Sequence, residues 1–289
     1  MTNEFGKLHP TVNIIFYICV IGITIFQMQI GFIIISFIGA LCLFLWLKGI
    51  RGLKYLLGII VVFFLSAIMN PLFSHKGSTL LFYLFNGNPV TYESVVYGAM
   101  AALIICAMLL WFATFNHIIT TDKLLAVVGY KMPKLSMMIS MIFRFIPKYR
   151  KHSREVADAY KALGHKDKRL QEKIKTSMEV FSATTTWALE NSIDTADSMK
   201  ARGYGKKKRT NYNNYIFEAR DVVILIVMSV CVAAVICFMS TGKVSTFYYP
   251  IIRIKGNYLA YFMWAIFCFS PVIINIVEEW KWRRLKSKI

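Results

Sequence analysis

Two stretches of this 289-residue chain repeat one another. Ala157-Asp158-Ala159-Tyr160-Lys161-Ala162-Leu163-Gly164 aligns with Ala196-Asp197-Ser198-Met199-Lys200-Ala201-Arg202-Gly203 at a constant offset of 39 residues, with Ala, Asp, Lys, Ala and Gly identical. Each copy closes a predicted helix on glycine, which most readily accepts the left-handed conformation beyond a helix C-terminus. Lys161 and Lys200 fall in the last turn, where the helix dipole favours a cation, three residues after Asp158 and Asp197. The chemistry available here is recognition, not bond-making. Ala162 with Gly164, and Ala201 with Gly203, let another backbone come close, and Arg202 can make a bidentate contact with an acidic groove. Taken singly, each copy is an ordinary glycine-capped helix end. As a pair on one protein they suit docking onto two similar partners.

Other reactive residues form no constellation. His9, His75, His117, His152 and His165 are scattered without metal-ligand spacing, and read as loop or interface residues. No Ser/His/Asp or Cys/His set can be placed. No GxxxxGK[ST] run occurs, so the chain has no nucleotide-binding loop of this type, and Gly242-Lys243-Val244 only echoes one. These readings point to a protein that is not an enzyme and holds neither a metal nor a cofactor of its own.

The elements that must position the repeat are set by composition. Hydrophobic residues make up 57% of the chain and charged residues only 17%, with a mean hydropathy of +0.53. Soluble domains carry about a quarter charged residues, so disorder and an ordinary cytosolic enzyme are both excluded. Six apolar runs approach the ~20 residues that cross a bilayer: 12–28, 31–47, 54–69, 92–115, 222–239 and 258–277. Only Gln27 and Gln29 interrupt the first pair, which predicts a tight helical hairpin. No cleavable signal is evident, because Glu4 precedes the first run and no small-residue cleavage pattern follows it. All six cysteines (Cys19, Cys42, Cys106, Cys231, Cys237 and Cys268) lie inside these spans without a CxxC pair, and read as small buried hydrophobes. No Lys, Arg or His lies deep in the spans, and the only acid is Glu93 near one end.

The net charge is +19, from 34 Lys and Arg against 15 Asp and Glu. With the N-terminus inside, the cytoplasmic side receives 30 of these cations and the outer side four, namely Lys76, Lys243, Arg253 and Lys255. Short loops alone, to which the positive-inside rule applies, still give nine against four. Both termini are therefore expected in the cytoplasm of a multi-pass cell-membrane protein.

The expected fold class is an all-α integral membrane protein with about six transmembrane helices and a large cytoplasmic insert of amphipathic helices between the fourth and fifth. The expected parts are 1–115 with four spans, 116–221 as the insert, and 222–289 with two spans and a basic tail. Within the insert, 135–147 is apolar but too short to span, and contains Arg144. It reads as a helix at the membrane interface or buried against other helices. Phe145, Tyr149, Val156, Tyr160 and Leu163 then recur on one helical face, while Lys148, Lys151, Arg154, Asp158 and Lys161 fall elsewhere. A second helical stretch covers 170–202. Smaller expectations concern the boundaries. Asp221 caps the fifth span, Asn70-Pro71 breaks the third, and 80–85 returns to the membrane surface as a short helix before the turn signal Asn86-Gly87-Asn88-Pro89. Lys206-Lys207-Lys208-Arg209 reads as a topology anchor against anionic head groups.

The insert resembles the coupling region of the transmembrane T component of energy-coupling factor (ECF) transporters, the EcfT/CbiQ-like family. That family carries two Ala-Arg-Gly motifs at the ends of cytoplasmic coupling helices. Ala201-Arg202-Gly203 matches the second in full; Ala162-Leu163-Gly164 matches the first with leucine in place of arginine. Flanking similarity covers Leu8-His9-Pro10, Asn70-Pro71-Leu72-Phe73 with Gly77, Arg144-Phe145-Ile146-Pro147, Tyr248-Tyr249-Pro250 and Glu278-Glu279-Trp280, so it runs over nearly the whole chain. The resemblance implies a non-catalytic scaffold of an importer of vitamins or of cobalt or nickel ions. It also implies binding to two ABC-type ATPase subunits through Ala162, Leu163, Gly164, Ala201, Arg202 and Gly203, with Asp158, Lys161, Asp197 and Lys200 in support. A membrane-embedded substrate-binding S subunit would pack against the scaffold, while ATP and magnesium would sit on the ATPases.

Two other classes give different expectations. A stand-alone carrier or membrane enzyme needs polar groups converging at membrane depth. A membrane-anchored nucleic-acid binder would use the basic insert. Residues 144–220, however, carry nine acids among 18 Lys and Arg, and lack aromatic stacking platforms. No nucleic-acid partner is expected.

Overall fold

The computed structural model describes residues 4–74, 77–83, 89–163, 170–205, 215–249 and 251–286. Gly164, His75, His165, Asn86-Gly87-Asn88, Lys206-Lys207-Lys208-Arg209 and Pro250 lie outside them. In chain order the helices are α1 (Glu4–Lys7), α2 (Pro10–Phe26), α3 (Ile30–Lys48), α4 (Leu53–Phe73), α5 (Tyr92–Ile118), α6 (Thr121–Lys131), α7 (Pro133–Ala162), α8 (Leu170–Ala201), α9 (Ala219–Ser240) and α10 (Tyr258–Lys286). Two antiparallel hairpins interrupt them: β1 (Leu80–Tyr83) with β2 (Pro89–Thr91), and β3 (Ser245–Phe247) with β4 (Arg253–Lys255). The chain is an all-α membrane protein; the hairpins are short connectors.

Five helices, α3, α4, α5, α9 and α10, are long and apolar enough to cross a membrane. The sixth expected span is α2, an apolar helix of 17 residues, about 26 Å at 1.5 Å per residue and so close to the ~30 Å of hydrocarbon. Pro10 opens it at a position where a missing N–H costs nothing, and His9 Nδ1 accepts from Thr11 N at 3.3 Å. Large apolar side chains such as Ile18, Val61, Phe64, Leu65 and Val230 face outward, as a lipid-facing surface requires.

The chain divides into two compact units, Met1–Lys123 with Tyr215–Ile289, and Leu124–Asn214. In the first, Phe16 packs against Trp111 at 5.6 Å and Phe267 at 5.1 Å between ring centres. Trp264 Nε1 donates to Phe32 O at 3.1 Å, and Trp111 Nε1 to Ser36 Oγ at 3.0 Å. Thr24 and Ser36 hydroxyls meet at 2.8 Å, so a polar chain joins α2, α3 and α5 where hydrophobicity cannot drive helices together.

Three boundary expectations are corrected. Residues 80–83 form a strand, not a helix: Phe82 pairs with Val90 and Tyr83 with Pro89. A segment this short cannot offset helix nucleation, whereas a turn signal followed by Val90 and Thr91 supplies a strand partner. Asn70-Pro71 does not break the third span, since α4 continues to Phe73. Pro71 lies near the helix end, and α5 comes close there at Gly98, where an added Cβ would stand 2.8 Å from Ala67 O. Asp221 is not the cap of α9. Glu218 is, and Asp221 closes the reciprocal half of a capping box by accepting from Glu218 N at 3.2 Å.

The second unit contains α7 and α8. α7 is one helix that carries Pro147 in its interior, so the apolar stretch 135–147 and the amphipathic stretch after it belong to a single element.

Candidate functional site

The two copies of the repeat end their long helices on the same backbone hydrogen bond. Leu163 is the C-cap of α7, and its N–H donates to Ala159 O at 3.1 Å. Arg202, 39 residues on, donates to Ser198 O at 3.1 Å. Beyond Arg202 the chain turns through Gly203 at φ +80°. Gly203 N donates to Lys200 O at 2.9 Å and Tyr204 N to Met199 O at 3.0 Å, the paired bonds of a Schellman cap.

The supporting charges repeat as well. Lys161 Nζ lies 3.2 Å from Asp158 Oδ1, and Lys200 Nζ lies 3.4 Å from Asp197 Oδ1. All four side chains are about two-thirds or more exposed, so each pair contributes little to stability. Its effect is to hold a lysine along the last turn, beside an exposed cap residue. Ala162, Leu163, Ala201 and Arg202 are exposed. Leu163, at 77% exposure, stands clear of the apolar face on which its spacing had placed it.

The 39-residue relation extends beyond the motif. Met137, Met141, Phe145, Tyr149, His152, Val156 and Tyr160 form a half-buried stripe along α7. Thr176, Val180, Thr184, Ala188, Asn191, Thr195 and Met199, each 39 residues later, form the buried or half-buried stripe of α8. Near the middle of the stripes, Phe145 and Tyr149 on α7 correspond to the small Thr184 and Ala188 on α8.

Near the helix midpoints a cluster joins the two. His152 stacks on Trp187 with ring centres 4.0 Å apart and planes 21° apart. Tyr149 meets the same indole edge-on at 5.6 Å. Lys148 Nζ stands 5.3 Å from the Trp187 ring centre and donates to Asn191 Oδ1 at 3.0 Å. The sequence reading missed Trp187 and Asn191. The signal was the same offset, which pairs Lys148 with Trp187 and His152 with Asn191.

Two further anchors, in the membrane unit, also went unread. Lys123 Nζ donates to Gly6 O at 2.5 Å and Ile118 O at 2.7 Å, and partial burial lowers its pKa from the usual lysine range. Glu93, buried at the start of α5, accepts from Ser78 Oγ at 3.1 Å and Thr79 Oγ1 at 2.8 Å. Among the described residues, no group of three or more His, Cys, Asp or Glu side chains could hold a metal ion. The cysteines are free; Cys106, Cys231 and Cys268 are buried, Cys19 and Cys42 half-buried, and Cys237 faces outward.

A multi-pass membrane bundle with a duplicated, outward-facing helix end therefore carries the distinctive chemistry of this molecule. The model of a protein family described as CbiQ, cobalt transport protein, matches residues 3–212, which include α1 to α8 and both helix ends. The chain has no significant match among curated protein sequences. The family match spans more than two-thirds of the length and agrees with the bundle, the insert and the resemblance of its motifs: the chain belongs to the CbiQ family of cobalt transport proteins.

Proposed function

We propose that the chain is the T component of an ECF-type importer, the membrane scaffold that transmits ATP-driven motion from two ABC-type ATPase subunits to a substrate-binding S subunit. The observation that carries this reading is the duplicated helix end. Two helices present the same cap bond, the same Asp–Lys pair and the same Ala-x-Gly sequence 39 residues apart. Ala162, Leu163 and Gly164 dock on one ATPase, and Ala201, Arg202 and Gly203 on the other. Both termini and the insert face the cytoplasm, in keeping with the Lys and Arg distribution. ATP and magnesium bind the partners, whose closure shifts the helix ends and tilts the S subunit so that its vitamin or metal-ion cargo enters the cell.

The buried acids among the described residues, Glu4, Glu93 and Asp221, all lie in the first turns of their helices. None sits mid-span, where an ion-coupled carrier places its relay, so the energy comes from partner subunits. Mild-detergent purification of the tagged chain tests the reading. It should bring down two ATPase copies and a small membrane protein in fixed proportion, and the chain freed of them should hydrolyse no ATP above background. Turnover that survives their removal contradicts it.

A further inference from the structure

The Lys148–Trp187 contact, the Lys148–Asn191 hydrogen bond and the His152–Trp187 stack together mark the place where α7 meets α8. Leu163 lies fifteen residues beyond Lys148, and Arg202 fifteen beyond Trp187. The two helix ends therefore stand on arms of equal length, about 22 Å each at 1.5 Å per residue.

The side chains at this point restrain more than one motion. The parallel face of His152 and the edge of Tyr149 hold the indole in two directions, so rotation of either helix about its own axis must unstack a ring. The ammonium of Lys148 ties the same ring to Asn191 one turn further along α8. Thr184 and Ala188, the small residues flanking Trp187 on the α8 stripe, offer no aromatic surface to replace it.

We infer that Trp187 is a positioning residue: held by Tyr149, His152 and Lys148, it locks α7 against α8 where they meet so that Leu163 and Arg202 move as one body. This inference rests on the coupling reading above, for which it supplies the joint. A force applied at one helix end reaches the other only if the crossing does not slip.

The test uses the full chain in lipid nanodiscs, in a cysteine-free background first shown to support uptake. Spin labels at Ala159→Cys and Ser198→Cys, equivalent positions near the two ends, report the distribution of distances between them. The parent and Trp187→Phe should give one narrow distribution, while Trp187→Ala should widen it at least two-fold. His152→Ala should fall between, and it serves as the second variant if Trp187→Ala does not fold. In the assembled transporter, ATP consumed per cargo molecule should rise several-fold for Trp187→Ala and return to the parent value for Trp187→Phe. An unchanged distribution in both Trp187→Ala and His152→Ala overturns the joint whatever the ATPases do. Widening without a change in ATP per cargo overturns its role in coupling. Retention of full ATPase capture by Arg202→Glu would instead remove the coupling reading itself, so the two failures are distinguishable.

Discussion

Leu163 and Arg202 terminate their helices with the same 3.1 Å hydrogen bond to the residue four positions before, yet one cap is apolar and the other cationic. The cap hydrogen bond is duplicated and the side-chain chemistry is not. Under the proposed coupling role, the two ends suit two ATPase surfaces that are similar without being equivalent at the contact.

Leu163→Ala should weaken ATPase capture only mildly, by the loss of part of an apolar contact, about 1–2 kcal/mol at most. Raising the salt should leave that loss unchanged, because no charge is involved. Leu163→Arg should be tolerated if the facing groove keeps an acid. Pull-downs of each variant at low and high ionic strength check both expectations.

Gly203→Val should loosen the end of α8. At φ +80° nothing lies within 4 Å of an added Cβ, so the cost is backbone strain alone, about 1–2 kcal/mol for a side chain forced into the left-handed region. Amide exchange at Tyr204, whose N–H is bound to Met199 O, should accelerate by roughly five- to thirty-fold. Unchanged exchange would show that the cap does not depend on glycine.

Gly98→Ala should lower the thermal midpoint of the detergent-solubilised chain, and Gly58→Ala should not. The new Cβ at Gly98 would stand 2.8 Å from Ala67 O, 3.0 Å from Asn70 Cβ and 3.2 Å from Pro71 Cδ, whereas Gly58 has open space. Overpacking of this kind costs about 1–3 kcal/mol, while alanine in an open helix position is favourable by about 0.5–1 kcal/mol.

Tyr248, between β3 and β4, should make stability fall at alkaline pH. Its hydroxyl donates to Met28 O at 2.6 Å. Burial, reinforced by the neighbouring Tyr97, pushes its pKa up to about 12 from 10.0. The folded state favours the neutral phenol, so the contribution is complete below pH 10 and is lost as pH rises from there through about 12. The unfolding midpoint of the parent should drop relative to Tyr248→Phe across that window, with lysine deprotonation common to both.

The bundle was legible because lipid exposure demands long apolar runs, and the duplicated helix ends were legible because a 39-residue repeat survives in an eight-residue window. The β1–β2 hairpin was not, since Leu80–Tyr83 carries the same apolar run as a short helix and only pairing with Val90 decides. Helix continuation through Pro71 goes with a close approach of α5 at Gly98, a tertiary fact. Glu218 and Asp221 both suit a helix start, and only the reciprocal bonds show which is the cap. Trp187 was missed because its counterpart 39 residues earlier, Lys148, is exposed and of a different type, so the repeat by itself does not single it out.

The most direct test of the account is Arg202→Glu, measured by capture of both ATPases and by ATP-driven uptake in one membrane background. Removing one partner of a buried charge-assisted contact costs about 2–5 kcal/mol, and the reversed charge adds repulsion. Capture of one ATPase should fall by at least an order of magnitude, and uptake should fall with it. Full assembly together with full transport by Arg202→Glu would contradict the coupling role assigned to this helix end.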